Sequence, residues 1–334
     1  MIFDEYLFAD YSGAFDARGQ RNAIRLAAAS IDAPPSIVGR RLTRSDLIEE
    51  LAGRLEAASR RGKRVCFGQD HQYGVPFGLV NEIGLGGQMW RQIVDSLATG
   101  SYGEGAPQLG HPKLFARPFN EWLVSRGGRP YFYSATKSQL YGLPQRNPRS
   151  GEPACYRLTE LRRSASGTGS PKPFNRVGDN GTVGGQSLVG ILAIRALLVL
   201  CASRNVRVAV WPFDGRSIHD DAYSDAHVMI EPYPSAFRAA DVAQTDESDA
   251  LACADHVRQA DRSRKLESLL DLSGLTAEEV AIAATEGWIL SHGANQARVT
   301  GRACRSGAWR LFLGRYSTLI SNAVSSTRSH PLIR

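Results

Sequence analysis

The chain has 334 residues, a formal net charge of +7 and 43% hydrophobic residues, enough for a sizeable core in one large domain or two ordinary ones. No uninterrupted apolar stretch reaches the roughly 18 residues of a membrane span, and the acidic start, Asp4-Glu5, lacks the basic n-region of a secretory signal. The five cysteines, Cys66, Cys155, Cys201, Cys253 and Cys304, lie far apart with no C-x-x-C pair, which argues against a disulfide frame or zinc knuckle and for reduced thiols in a cytoplasm.

Residues 4–10 read as the first strand. Tyr6, Leu7, Phe8 and Ala9 are a buried run, Asp10 stands where it stops, and Ser12-Gly13 turns the chain. Residues 21–31 alternate partly after a Gly-containing turn and read as an antiparallel partner, although their alanines also allow a helix. Pro34-Pro35 forbids helix, and Ile37, Val38, Arg40 and Leu42 suit a short third strand. Thr43 is placed to cap a helix, with Asp46 closing a capping box and Leu47, Ile48, Leu51 and Leu55 at helical spacing. That helix is expected to end at Gly62, among Arg60, Arg61, Lys63 and Arg64. Residues 63–70 then form a short strand that again ends in an acid, Asp70. Strand, hairpin strand, short strand, helix, strand is the opening order of a ribonuclease H-like fold. In that fold the first and fourth strands lie side by side in parallel, bringing Asp70 beside Asp10.

From His71 to about Asn180 the pattern is irregular and rich in Gly and Pro, with helices expected near 87–98 and 114–126. It reads as a large insertion of about 71–180 within a domain of 1–290, with too few elements for an obvious core of its own. A second small domain is the alternative. Order returns with a long apolar helix over 186–204, which carries Arg195 and reads as buried rather than membrane-spanning. Strands over 206–211 and 226–231 follow, the second ending in Glu231. A helix is expected from Glu247 to about Leu270, with Asp246 near its N-cap and Asp249 in its first turn, and another over 276–284. Residues 291–334 read as a basic C-terminal extension with arginines and no acid.

The chemistry lies in the acids. Taken alone, Asp10 reads as a turn residue whose carboxylate accepts nearby amides; the metal reading rests on the set. Asp10, Asp70 and Glu231 end strands, and Asp246 and Asp249 share one face of a helix start. Two-metal phosphodiester hydrolysis needs carboxylates that bridge cations, one on the attacking water and one on the leaving oxygen. Oxygen ligands with few imidazoles favour magnesium or manganese. The basic balance, clustered at Arg40-Arg41, Arg60–Arg64, Arg162-Arg163 and 262–265, suits a polyanion held by phosphate contacts, or else a solvated basic surface.

The segments Phe8-Ala9-Asp10-Tyr11-Ser12-Gly13, Gln69-Asp70-His71-Gln72-Tyr73-Gly74-Val75-Pro76, Ile230-Glu231-Pro232-Tyr233-Pro234, Asp246-Glu247-Ser248-Asp249-Ala250-Leu251-Ala252 and Glu286-Gly287-Trp288-Ile289 resemble the successive blocks of the predicted RNase H-like nucleases called domain of unknown function 429. The resemblance runs from about residue 4 to 290. It implies an α/β, ribonuclease H-like mixed sheet flanked by helices, and an acidic metal site. The D-x-x-D also resembles the late-helix acids of RuvC-type resolvases. Asp70 departs from many nucleases of this superfamily, where a Glu often stands, and the long insertion is a second departure.

The leading expectation is a magnesium- or manganese-dependent nuclease acting on DNA or RNA. Asp10, Asp70 and Asp249 would be ligands, assisted by Asp246 and Glu231. A non-catalytic binding protein on the same fold is the alternative. A third reading is an ATP-using member of the wider actin-like superfamily, with Asp10–Gly13 and the glycine run at 178–185 facing phosphates. His71 is a candidate proton relay or a structural residue, and His219, Asp220, Asp221 and Asp225 read mainly as a solvated loop.

Overall fold

The computed structural model describes residues 1–290, except 166–171, 180 and 240. The expected basic extension over 291–334 lies outside the described residues, as does Cys304. The chain opens with β1 (Glu5–Asp10), α1 (Ala17–Ala23), β2 (Arg25–Ser30), β3 (Ser36–Arg40), α2 (Arg44–Arg60) and β4 (Val65–Gln69). Five helices follow: α3 (Phe77–Glu82), α4 (Trp90–Thr99), α5 (Pro112–Ser125), α6 (Ser138–Tyr141) and α7 (Leu158–Ala165). Then come α8 (Val183–Ser203), β5 (Val208–Val210), β6 (His227–Met229), α9 (Pro234–Phe237), α10 (Asp246–Arg262), α11 (Leu266–Leu269) and α12 (Ala277–Glu286).

The strands make one mixed six-stranded sheet, flanked by helices, in the order β3-β2-β1-β4-β6-β5. β1, β2 and β3 pair antiparallel. β4 pairs parallel with β1 and with β6, and β6 parallel with β5. Ala9 stands opposite Gln69, so the chain leaves β1 at Asp10 and β4 at Asp70 from adjacent strands at the same sheet end. Gly68 is required there, because a Cβ at this position would meet the Ile230 carbonyl at 2.1 Å.

Two boundaries depart furthest from those read in the sequence. Residues 21–23 close α1 instead of opening a strand. Asp16 caps α1 by accepting the Gly19 amide at 2.8 Å. The Arg25 guanidinium takes the carbonyls of Arg21, Asn22 and Ile24 at its other end. Likewise α10 stops at Arg262, eight residues before the expected end, because Arg264 adopts a left-handed φ of 57°. Its N-cap is Thr245, which exchanges bonds with Ser248; Asp246 is the first helical residue. The capping box at Thr43 and Asp46 forms as read, and α2 buries Leu47, Leu51, Leu55 and Ala58.

α10 fixes the sheet end that matters. It packs on β1 and β2. Near its C-terminus the buried Asp261 accepts the Ile2 and Phe3 amides and the Tyr6 hydroxyl, at 2.8–3.1 Å. Tyr6 and Asp10 lie on the same face of β1, because side chains alternate. From Tyr6 to Asp10 is roughly 13 Å of strand; from Asp261 back to Asp249 is roughly 18 Å of helix. The helix therefore runs antiparallel to β1, with its acidic first turn at the Asp10 end.

The described chain divides into two compact units, one of residues 1–73, 185–274 and 287–290, the other of 74–184 and 275–286. The first holds the sheet. In it α8 buries Leu188, Ile191, Ile194, Leu197 and Cys201; by length and composition it could cross a membrane, and 56% of its most apolar window is buried inside the protein. The second corrects the expectation that this stretch lacks a core. Phe132 packs against Phe119, Tyr131 and Phe174 at ring-centroid separations of 5.0–6.2 Å. Asn120 ties the turn by accepting the Tyr131 and Phe132 amides, both at 2.8 Å. Glu286 of α12, fully buried, accepts the amides of Phe77 and Leu158 at 2.6 and 2.5 Å. α4 and α5 carry a helical apolar stripe, Trp90, Ile93 and Leu97 on one and Phe115, Phe119 and Trp122 on the other; Tyr131, Phe132 and Phe174 come from irregular segments, which no period marks.

Candidate functional site

Asp10 and Asp70 emerge side by side because β1 and β4 pair in parallel. Tyr11 and Gln186 then fix Asp70. Its Oδ1 accepts the Tyr11 amide at 2.6 Å. The Gln186 side-chain amide spans the Asp70 carbonyl at 3.0 Å and the Tyr11 carbonyl at 2.7 Å. Gly13 lets this turn approach α8, since a Cβ there would stand 3.1 Å from the Gln186 backbone. Arg44 clamps the same turn from outside, donating to the Ser12 and Ala14 carbonyls at 3.0 and 2.8 Å.

Asp10 hydrogen-bonds Asp70. Burial pushes the Asp10 carboxyl far above the usual carboxylate range, and the charges on Asp70, Asp246 and Asp249 push it further. Burial also raises Asp70, against the bonds it accepts from the Tyr11 amide and from Asp10. Two carboxylates this close cannot both ionise cheaply. Of the two, Asp10 is the more strongly raised, so the pair favours holding one proton over carrying two charges. Beneath them Cys253, one turn after Asp249, has its thiol held protonated by burial and by the same three acids, Asp70, Asp10 and Asp249. That independent residue marks the same convergence.

The other acids separate. Asp249 forms an ion pair with Arg238, just after α9, with both side chains largely buried. Glu247 leaves the cluster for Arg40 and Arg25, at 2.9 and 3.4 Å. Glu231 is not gathered in. Continuing the β4–β6 register makes it level with Gln69, on the opposite side of the pleat from Asp70. Its carboxylate accepts the Tyr73 amide at 3.2 Å. His71 is buried against Tyr11 and Tyr73, its ring nitrogens bonded to the Gln72 carbonyl and the Gln69 side chain. Those contacts describe a structural histidine.

The Arg60–Arg64 cluster lies at the opposite end of the sheet from Asp70. It precedes β4 and meets the start of β1. Arg61 pairs with Glu5 and Lys63 with Asp4, Arg60 pairs with Glu56, and Arg64 is bonded to the carbonyls of Ile2, Tyr223 and Ala226. A strand length, roughly 17 Å, separates it from Asp70.

Among the described residues no group of three or more His, Cys, Asp or Glu is arranged to hold a metal ion. Asp249 is paired with Arg238, and Asp10 and Asp70 face each other. In chemistry the donors do fit a hard divalent cation, since all are carboxylate oxygens and, among the described residues, Arg238 alone offsets their charge by direct pairing. Gln186 and Arg238 are the residues the sequence conceals. Gln186 shows only as a polar residue opening an apolar helix, and Arg238 has no local signal. Searches against protein-family models, curated proteins and solved structures found no match to this chain.

Proposed function

We propose that this protein is a metal-dependent nuclease with a ribonuclease H-like fold, allied to the domain of unknown function 429 family, and that it hydrolyses phosphodiester bonds with water as nucleophile. One observation carries the reading: Asp10, Asp70, Asp246 and Asp249, from two strand ends and one helix, act on one another at a single sheet end. The three antiparallel strands followed by a parallel fourth support the fold. The edge strand β5 is the one expected over 206–211, and it extends the sheet beyond β6.

Asp10, Asp70 and Asp249 would hold the cation, with Asp246 behind them. Bound magnesium or manganese would supply an activated water and neutralise charge on the leaving oxygen. The chain's own contributions are orientation and charge. Gln186 and the Tyr11 amide hold the Asp70 carboxylate at a fixed angle. For Asp10 to serve as a ligand its carboxyl would have to lose its proton, and Asp249 would have to part from Arg238.

The Arg238–Asp249 pair favours one second reading, a nucleic-acid-binding protein that keeps an arginine where a nuclease keeps its metal. Cleavage separates the two. Labelled DNA and RNA are incubated with wild type, Asp10→Asn and Asp70→Asn, in magnesium and in chelator. The nuclease reading expects cleavage by wild type in magnesium alone and none by either variant. Binding without cleavage under every condition would establish the second reading instead.

A further inference from the structure

The proposed nuclease needs a surface that seats phosphates, and the sequence's own candidate, Arg60–Arg64, is self-neutralised at the far end of the sheet. We infer that the seat is instead the rim formed by α1 and the end of β3, where Arg18, Arg21, Arg40 and Arg41 would contact the phosphates of a nucleic-acid strand whose scissile bond lies at Asp10. This rests on the nuclease reading for the scissile position, and on the register for the rest.

The register is the first argument. Asp10 pairs with Arg25, and Arg25 pairs with Arg40. One row therefore crosses three strands at the carboxylate end, and cross-strand partners share a face. Two strand spacings put Arg40 roughly 10 Å from Asp10, so one strand can meet both. α1 joins the end of β1 to the start of β2, so Arg18 and Arg21 belong to the same sheet end. Arg41 directly continues β3.

Charge and exposure are the second argument. Arg18, Arg21, Arg40 and Arg41 are all exposed. Among the described residues Arg18, Arg21 and Arg41 form no ion pair, in contrast to Arg60, Arg61 and Lys63. The third argument is an anion already in place. Glu247 reaches back from α10 to set one carboxylate oxygen against both Arg40 and Arg25, so this row accepts an anionic oxygen within the folded chain. A phosphate on the outer side of Arg40 would extend that arrangement. Arg25 itself is largely occupied by the carbonyls at the end of α1 and is left out of the seat.

The test compares two double variants of the full chain, Arg18→Gln/Arg41→Gln and, as control, Arg60→Gln/Arg61→Gln. Affinity for a labelled single-stranded oligonucleotide, in DNA and RNA versions, is measured across a salt series in chelator, with a melting curve for each protein. Two lost phosphate contacts should flatten the plot of log affinity against log salt by about 1.4, at about 0.7 per contact for single strands. The rim variant should show that change with an unaltered melting temperature, and the control should keep the wild-type slope. An unaltered slope in the rim variant, an equal flattening in the control, or no binding by wild type at low salt would overturn the inference. Cleavage in magnesium, scored separately, tells the two readings apart. Cleaving protein with an unaltered rim slope sinks the rim alone, and rim-dependent binding without cleavage sinks the nuclease alone.

Discussion

At the scale of single residues, Asp10 is the group whose titration should govern the site. Its carboxyl is raised by burial and by three neighbouring acids, so the folded chain binds a proton there that the unfolded chain releases. Such a group opposes folding increasingly as pH rises above the ordinary carboxylate value of about 4. Asn in its place can still donate to Asp70 but carries no charge. In chelator, Asp10→Asn should therefore be more stable than wild type at neutral pH, by on the order of 1–3 kcal/mol. The gain should vanish as pH falls to about 4. Paired melting curves across pH check this; a gain that grows towards acid would mean that Asp10 is ionised and satisfied in the fold. Asp261, at the other end of α10, accepts two amides and a hydroxyl. Asp261→Ala leaves buried donors unmatched and should cost about 2–4 kcal/mol, read as a lower urea midpoint. A loss under about 0.5 kcal/mol would show that the anchor is dispensable.

At the scale of elements, the site is a consequence of strand pairing and of one helix laid antiparallel along β1. Asp10 and Asp70 are legible in the sequence because each ends a short apolar run, and a run that stops at an acid marks the sheet's edge. Asp246 and Asp249 are legible because a helix start is readable to within a residue. Glu231 misleads for the same reason that Asp70 informs: a strand-end acid announces its end of the sheet, but not its side of the pleat. Arg60–Arg64 misleads because spacing shows a charge cluster and hides its partners. Gln186 acts across more than a hundred residues of sequence, and Arg238 meets Asp249 from 11 residues away across a loop, a spacing that no helix or strand period marks. The element scale also carries a prediction. Gly68 permits β6 to continue against β4, and a Cβ there would meet the Ile230 carbonyl. Gly68→Ala should destabilise by about 1–3 kcal/mol and weaken metal binding together with it, since Asp70 is two residues on. Stability lost with metal binding intact would uncouple the sheet edge from the site.

For the whole molecule, the charge balance divides by location. The sheet unit gathers acids at one end, has exposed arginines on α1 and β3, and pairs Arg60, Arg61 and Lys63 with acids at the other end. The second unit keeps a separate core of aromatic rings around Asn120, closed by Glu286. The central claim is that the four-acid cluster is a cation site held shut by one proton and one arginine. The most direct measurement is a calorimetric titration of manganese into the metal-free full chain, beside Asp10→Asn, at two pH values on either side of neutrality. Saturable binding by wild type that tightens as pH rises, with proton release and a loss of more than roughly 100-fold in Asp10→Asn, is the predicted result. No saturable binding by wild type, or equal binding by the variant, would contradict it.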